Sequence, residues 1–442
     1  MKVIFITCIR GIISRNILST AAFELLSSRK DLRLVIIVPQ SRAAAIKKEF
    51  GGENVFVEGI LTPPLAGRVK LLWVLATNLL STRTRQVQRR AKFERDRNIF
   101  DYLTSHLLAF LGRFRFVRSV FRSLVASLDS GREFDELFSR FEPALLFATD
   151  VYELMDAKLM RASRRHGAKC LGMVRSWDNI TSKTILTTIP DMALVNSQHD
   201  REELIYYGDV PSERIKVVGV PHYDRYLASA ERTGRDKFCQ SLGLDPGRQF
   251  ILFTPPSDRY LQGDPVSPVV LDALVGLDLQ VLVRAPLVGR AQLKNYSPPA
   301  NVIFDQPGNS PDFVDVHLDR QADRHLADSI YHSALVITWA STMIIDAAVF
   351  NKPVILVGFD AKPRPYGRSI LQYYDYDHQR HIIASGGLRL VRSPAELSSW
   401  VRRYLADSRL DQDGRSLIVE EHCGKLDGRA GERVANLLLG FL

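Results

Sequence analysis

The sequence predicts an α/β protein of two Rossmann-like domains, the first carrying a helical basic insert. Three observations lead there. The chain has 442 residues, and at ~100–200 residues per domain that length suggests two domains or three. Short apolar runs alternate with helical patterns in two successive blocks of similar size. Between about residues 68 and 128 the alternation is broken by arginine-rich helical sequence. The composition, 46% hydrophobic and 24% charged, excludes a disordered or collagen-like chain and leaves enough apolar residues for large cores.

A strand buried on both faces reads as a continuous apolar run, and a series of such runs separated by helices points to a parallel sheet. In the first block the expected strands are residues 3–9, 34–38, 144–148, 169–174 and 192–196, with another near 215–218. Helices are expected over 15–28, 151–166 and 198–207. The opening apolar run is short for a signal peptide and lacks a small-residue cleavage site. It is read as the first buried strand, entering the loop at Arg10 and Gly11. A polar stretch over 228–237 separates the blocks. The second block runs strand 250–254, helix 268–277, strands 280–284 and 302–304, helix 320–332, strand 335–338, helix 341–350 and strand 353–357. Helices near 368–374, 394–406 and 428–439 complete it. The expected domains are residues 1–228 and 235–442. Open parallel sheets bind ligands outside the carboxyl ends of their strands, so candidate residues are sought there.

The net charge of +10 is not spread evenly. Between Arg68 and Arg122 lie 13 Lys and Arg against three acids, an excess equal to that of the whole protein. The remainder is neutral in sum, unlike a uniformly basic nucleic-acid binder. Arg83, Arg89 and Arg90 cluster on one expected helix, while Arg113, Arg115 and Arg118 alternate with Phe110, Phe114, Phe116 and Phe121. Two or three helices are expected here. Cationic faces interleaved with large apolar residues suit an anionic bilayer interface, where each basic residue adds about 1 kcal/mol. A solvated face over an apolar core stripe and nucleic-acid binding are the alternatives, the latter least favoured. No apolar run reaches the ~18 residues of a membrane span. The cysteines Cys8, Cys170, Cys239 and Cys423 lie far apart, as in a reducing compartment. The expected location is cytoplasmic and peripheral, on the inner face of the cell membrane.

One segment carries the most chemistry: strand 335–338, the turn Ala340-Ser341-Thr342, a helix with Asp346, then Asn351-Lys352-Pro353 and a further strand. Unpaired N–H groups at the helix start, with its dipole, suit a diphosphate. Ser341 and Thr342 could add donors, or could simply cap the helix. Arg284 ends a strand and could hold an oxyanion in two-pronged fashion, or pair with an acid. In the first block Asp178 stands beside Trp177 and Asn179 at a strand end, as a general base or a turn-forming Asp. Asp150 follows strand 144–148, as a base or as a helix cap. His222 titrates in the right range for proton transfer, or is structural. His378 and His381 are read as loop residues, and no histidine spacing suggests a metal.

With Lys352-Pro353-Val354-Ile355 closing it, the segment around Ser341 resembles the nucleotide-diphosphate site of GT-B glycosyltransferase-like proteins. It is similar above all to CDP-glycerol glycerophosphotransferases and UDP-N-acetylglucosamine 2-epimerase relatives. Further stretches agree in order: Arg10-Gly11-Ile12-Ile13-Ser14-Arg15-Asn16, Arg175 through Lys183, Asn196-Ser197, Gly219-Val220-Pro221-His222-Tyr223-Asp224, and Asp427-Gly428-Arg429-Ala430. The resemblance covers most of the chain except residues 60–140. Relatives often show Arg-x-His-Pro where this chain has Arg284-Ala285-Pro286. The resemblance implies a glycosyltransferase that moves a sugar from a nucleotide-activated donor to a surface polysaccharide or lipid-linked glycan. Arg284, Ser341, Thr342 and Asp346 would hold the donor. Arg10, Gly11, Trp177 and Asn179 would serve the acceptor, with Asp178, Asp150 or His222 as base. The first domain has no Asp-x-Asp of the kind a metal-dependent transferase of the other common fold needs, so no metal is expected, and no cofactor beyond the donor. Transfer of a polyol phosphate from a CDP donor and nucleotide-sugar epimerisation are the alternatives. A third is a non-catalytic membrane- or nucleic-acid-binding protein on a transferase scaffold.

Overall fold

The computed structural model describes residues 1–442 apart from 229, 231, 262, 278, 290, 292, 294, 295 and 307–318. It divides into two compact units, one of residues 1–89, 98–227 and 422–442, the other of 90–97 and 228–421.

The first unit is built on a parallel sheet of seven strands: β1 (Lys2–Thr7), β2 (Leu32–Pro39), β3 (Val55–Ile60), β4 (Leu145–Ala148), β5 (Lys169–Met173), β6 (Met192–Val195) and β7 (Ile215–Val217). Their order is β3-β2-β1-β4-β5-β6-β7. Side chains alternate between the faces of a strand, and the two cores divide accordingly. Phe5, Val35, Ile37 and Leu146 enter one, and Ile4, Ile6, Leu34, Ile36, Leu145 and Phe147 the other. The sequence missed β3, which lies at the sheet edge and carries the half-buried polar positions Glu58 and Gly59 instead of an unbroken apolar run. Connections leave β1 and β4 in opposite directions, which makes their carboxyl ends the switch point of the sheet.

The second unit repeats the plan in six parallel strands: β8 (Phe250–Phe253), β9 (Gln280–Arg284), β10 (Val302–Asp305), β11 (Leu335–Thr338), β12 (Val354–Val357) and β13 (Arg389–Val391). The order β10-β9-β8-β11-β12-β13 places its switch point between β8 and β11. The short edge strand β13 was not anticipated, nor was the helix Gln412–Cys423. His378 and His381 lie on a helix, Asp377–Ala384, where a loop was expected.

Two boundaries differ from expectation. The helix Ala430–Phe441, assigned from sequence order to the second domain, packs in the first unit. Its stripe Val434, Ala435 and Leu438 is fully buried against Ile4, Leu18 and Leu145. Gly431 sits so close to the helix Ala21–Ser27 that a Cβ there would come within 2.9 Å of the Ala22 nitrogen. Asp224 fastens the helix start, accepting from the N–H groups of Ala430 (3.1 Å) and Gly431 (2.8 Å). Residues 90–97 in turn group with the second unit.

The insert between β3 and β4 comprises four helices, Gly67–Leu79, Arg83–Asp96, Ile99–Leu111 and Arg115–Leu128, more than expected. Leu72, Ala76, Leu79, Leu80, Phe121 and Val125 form a small core with Ile185. Two arginines assigned to a surface patch are buried instead. Arg89 is 5% exposed and donates to the carbonyls of Asn78 and Leu80, both at 2.9 Å. Burial draws its pKa down to about 10, with the neighbouring charge of Arg85 adding to the shift. Arg118 is also buried and grips Asp209 through Nε (2.8 Å) and Nη2 (2.5 Å). Arg122 reaches the same carboxylate at 2.6 Å. Both follow from the helix period, which turns some basic positions of an Arg-rich helix inward, where only carbonyls and a carboxylate can satisfy them. Arg83, Arg90, Arg113 and Arg115 remain exposed, as do the apolar residues Phe100, Leu103, Leu107, Phe116 and Val120.

Asp209→Asn leaves the Arg118 charge buried without its counter-ion, at a cost of about 3 kcal/mol. A thermal scan should show the unfolding midpoint lowered by roughly 6–12 °C; a change below one degree would mean that the network is not stabilising.

Candidate functional site

At the switch point of the first unit, the strand ends are tied by hydroxyls. Thr7 Oγ1 lies 3.1 Å from Thr149 Oγ1, Thr149 donates to the Thr7 carbonyl at 2.8 Å, and Thr7 donates to Asp156 at 2.5 Å. Asp156 is fully buried, and burial lifts its carboxyl well above the usual range. Neither the hydroxyl pair nor Asp156 was singled out from the sequence, because each is an ordinary residue type until the strands are laid side by side.

The loops leaving this point carry the residues expected from the sequence. Arg10 pairs with Glu153 at 2.5 Å. Gly11 is buried and offers its carbonyl to the Ser14 hydroxyl at 2.7 Å. Asp150 accepts from Arg175 Nε (2.7 Å), the Tyr152 N–H (3.1 Å) and Asn179 Nδ2 (3.4 Å). It is therefore an orienting group for the loop after β5, and the base role considered for it is not supported by this geometry. Asp178 is half-buried, accepts from Ser176 Oγ at 2.5 Å and leads into the short helix Asn179–Ser182. Trp177 packs edge-on against His422, ring centroids 5.4 Å apart. Asn179 is buried, and its Oδ1 has no hydrogen-bond partner among the described residues. His222 is buried with Nε2 facing the Arg15 guanidinium at 3.4 Å. Burial, then the Arg15 charge, hold its pKa well below the imidazole range. An imidazole turned toward a cation is a weak proton acceptor, so this arrangement favours Asp178 over His222 as the base.

After β6, Asp200 is fully buried, accepting from the Asn196 N–H at 3.2 Å while its own N–H donates to Ser197 Oγ at 3.1 Å. Burial, with the neighbouring Glu203, pushes its pKa up to about 7.

The second unit repeats the hydroxyl tie. Thr254 donates to Thr338 Oγ1 at 2.7 Å, and Thr338 Oγ1 lies 3.0 Å from Ser341 Oγ. The helix Met343–Val349 starts at Thr342 with no side-chain cap, so neither hydroxyl of the turn is spent on capping it. Thr342 is exposed and Ser341 half-buried. Asp346 is buried within the helix. Trp339, Tyr260 and Tyr373 cluster at the same strand end, with centroids 4.6–5.9 Å apart. This aromatic group was missed, since Tyr260 and Tyr373 come from distant segments.

Arg284 departs from its expected role. It is buried and ion-paired with Asp305, which also accepts from His325 Nε2 at 3.0 Å. Burial alone would raise the Asp305 pKa, but His325 and Arg284 outweigh it and hold the carboxyl ionised. The guanidinium already has its anion. Lys352 is largely enclosed, and burial, aided by Arg235, lowers its pKa to about 8. Among the described residues no group of three or more His, Cys, Asp or Glu is placed to hold a metal ion.

Two open parallel sheets of this order, each with polar loops at one switch point, constitute a GT-B-type fold. No family model matches the chain. The lipid-A-disaccharide synthase of Geobacter sulfurreducens is 28% identical over 325 residues, 68% of this chain and 76% of that one. The UDP-GlcNAc 2-epimerase from Neisseria meningitidis bound to UDP-GlcNAc superposes with a TM-score of 0.58 at 11% identity, over 100% of both chains. The S. aureus MnaA–UDP co-structure gives 0.57 at 13% identity, over 100% of this chain and 98% of that one. The wall teichoic acid polymerase TagF gives 0.53 at 10% identity, over 99% of this chain and 88% of that one. The resemblance read from the sequence is thus borne out at the level of the fold.

Asp200 sets a pH signature. In the unfolded chain it loses its proton near pH 3.9, whereas in the fold it keeps it to about pH 7. The folded state then binds the extra proton between these values, so stability falls with rising pH across that window and no further. The thermal midpoint of Asp200→Asn should gain on wild type from pH 4 to 7 and run parallel above; a constant difference across the window would refute the assignment.

Proposed function

We propose that the chain is a glycosyltransferase of cell-envelope polymer synthesis, moving a sugar from a nucleotide-activated donor to a polysaccharide or lipid-linked glycan. The observation that carries this is the β11 turn, where Ser341 and Thr342 offer hydroxyls not used to cap the helix. It occurs in a fold whose solved relatives include proteins holding UDP and UDP-GlcNAc, and the 28% identical relative is named a disaccharide synthase.

The donor diphosphate would lie against this turn, where N–H and hydroxyl donors stabilise the charge that develops as the nucleotide leaves. The acceptor hydroxyl attacks the anomeric carbon, the bond from that carbon to the diphosphate oxygen breaks, and the hydroxyl proton passes to a base, the role proposed for Asp178. Ser176 holds the Asp178 carboxylate, and the Arg175–Asp150 pair holds the loop. Trp177, Asn179, Arg10 and Gly11 line the loops offered to the acceptor. Asp346, buried in the helix that follows the turn, is assigned to the donor side. No metal enters this scheme.

The exposed face of the insert supports a peripheral position on an anionic membrane, on the cytoplasmic side. Phe100 (80% exposed) and Phe116 (68%) stand out on the insert, which also exposes Arg83, Arg90, Arg113 and Arg115. Large apolar side chains among cations suit a bilayer interface more than a nucleic acid. Among the described residues no helix is long and apolar enough to cross a membrane. The UDP-GlcNAc 2-epimerase among the solved neighbours favours a second reading, nucleotide-sugar epimerisation, which needs no acceptor.

Thermal shift with UDP-, CDP-, GDP- and CMP-type ligands tests the donor site. A ligand specific to the native state at a hundredfold its Kd adds about 2.7 kcal/mol of stability, and the double variant Ser341→Ala/Thr342→Ala should abolish the shift. If none of the four moves the midpoint at millimolar concentration, the catalytic reading is lost. Asp178→Asn should keep the nucleotide shift while kcat falls about 10²–10⁴-fold; unchanged turnover would remove Asp178 from the mechanism. An altered sugar formed without acceptor would establish epimerisation instead.

A further inference from the structure

The first unit contains a cavity of about 790 Å³ that the proposed reaction does not use. That size is ordinary for a small-molecule site. Leu80, Ile185, Ile205 and Tyr206 contribute its apolar walls, and Arg113, Arg115 and Arg118 its cations. It runs beside the later turns of the helix Gln198–Gly208. That helix begins at Ser197, at the carboxyl end of β6, and the cavity lies along its later turns.

Its charges do not balance. The Asp209 carboxylate is shared by Arg118 (2.5 Å), Arg122 (2.6 Å) and Arg115 (3.3 Å), one anion among three cations. Arg115 is the most loosely held and is 77% exposed. Arg113 is exposed and donates to Ser81 Oγ at 3.3 Å. The Leu80 carbonyl takes a bond from buried Arg89, whose Nε and Nη1 have no partner among the described residues. Against this excess the wall supplies Glu202, which accepts from Gln198 at 3.3 Å. Arg113 and Arg115 both face solvent on the cavity rim, and an anion placed between them would be attracted by both cations. The surroundings are apolar and aromatic: Phe114, between the two arginines in sequence, packs on Phe110 (5.6 Å) and stands 6.3 Å from Phe116, and all three are exposed.

We propose that this cavity binds one anionic phospholipid drawn from the bilayer, its phosphate between Arg113 and Arg115 and the first part of its acyl chains along Leu80, Ile185 and Ile205. Guanidinium pairs suit phosphate oxygens, and apolar walls next to them suit an amphiphile more than a free ion. The proposal rests on the membrane-facing reading of the insert, and adds a stoichiometric lipid to general surface attraction.

Two assays separate the proposals. Titration with dihexanoyl-phosphatidylglycerol below its micelle concentration should show saturable one-to-one binding, not displaced by an equal concentration of inorganic phosphate. Arg113→Ser/Arg115→Ser should weaken it by at least about tenfold, with the unliganded thermal midpoint confirming that the variant is folded. Phe100→Ser/Phe116→Ser should reduce flotation with phosphatidylglycerol vesicles while leaving the short-chain lipid affinity intact. Absence of saturable binding, indifference to the arginine variant or displacement by phosphate alone would each overturn the lipid site. If flotation persists in such a case, the membrane-facing reading survives without it; if flotation with anionic vesicles never occurs, that reading fails.

Discussion

Each unit of this protein depends on how its sheet ends where the chain changes direction. Inside a parallel sheet, backbone groups find partners on neighbouring strands, but at the switch point the loops turn away from each other and expose strand ends. Here a threonine pair bridges that gap in both units, Thr7 with Thr149 and Thr254 with Thr338. The hydroxyl is small enough to fit between buried strands and can donate and accept at once. The first pair rests on buried Asp156, and the second extends to Ser341. Everything proposed for chemistry, from the Arg175–Asp150 bracket to the Ser341 turn, is held out from these two fixed points.

Much of the architecture was legible, for a physical reason. Strands buried on both faces cannot hide their composition, so β1, β2, β8 and β12 show as plain apolar runs. Edge strands need cover on fewer sides, and β3 and β13 vanished into mixed sequence. The site was legible in position more than in role. The loops at Arg10, Asp178 and Ser341 were found because they follow strong strands. That Asp150 serves Arg175, or that Asp305 claims Arg284, depends on partners 25 and 21 residues away, a distance over which residue type carries no signal.

The insert illustrates the same limit for charge. A count of arginines described the segment as one cationic surface, yet a helix has an inside. Arg89 and Arg118 face carbonyls and Asp209, while their neighbours face solvent. Asp209 itself adopts a left-handed backbone, φ 58°, which a short polar side chain tolerates better than most. The basic excess is thus partly structural glue, and only the remainder is available to a partner.

The helix Ala430–Phe441 has a consequence for how the molecule is made. Its seat on the first sheet, beside Ile4 and Leu18, exists long before the helix does, since 206 residues separate Asp224 from its partner Ala430. At ~5–20 residues per second of synthesis, the ribosome needs roughly ten seconds or more to bridge that gap. Throughout, an apolar face of the nascent first unit stands uncovered or against whatever binds it. A growing chain with such a face is a natural client for a chaperone, or for the lipid surface on which the finished protein is proposed to work.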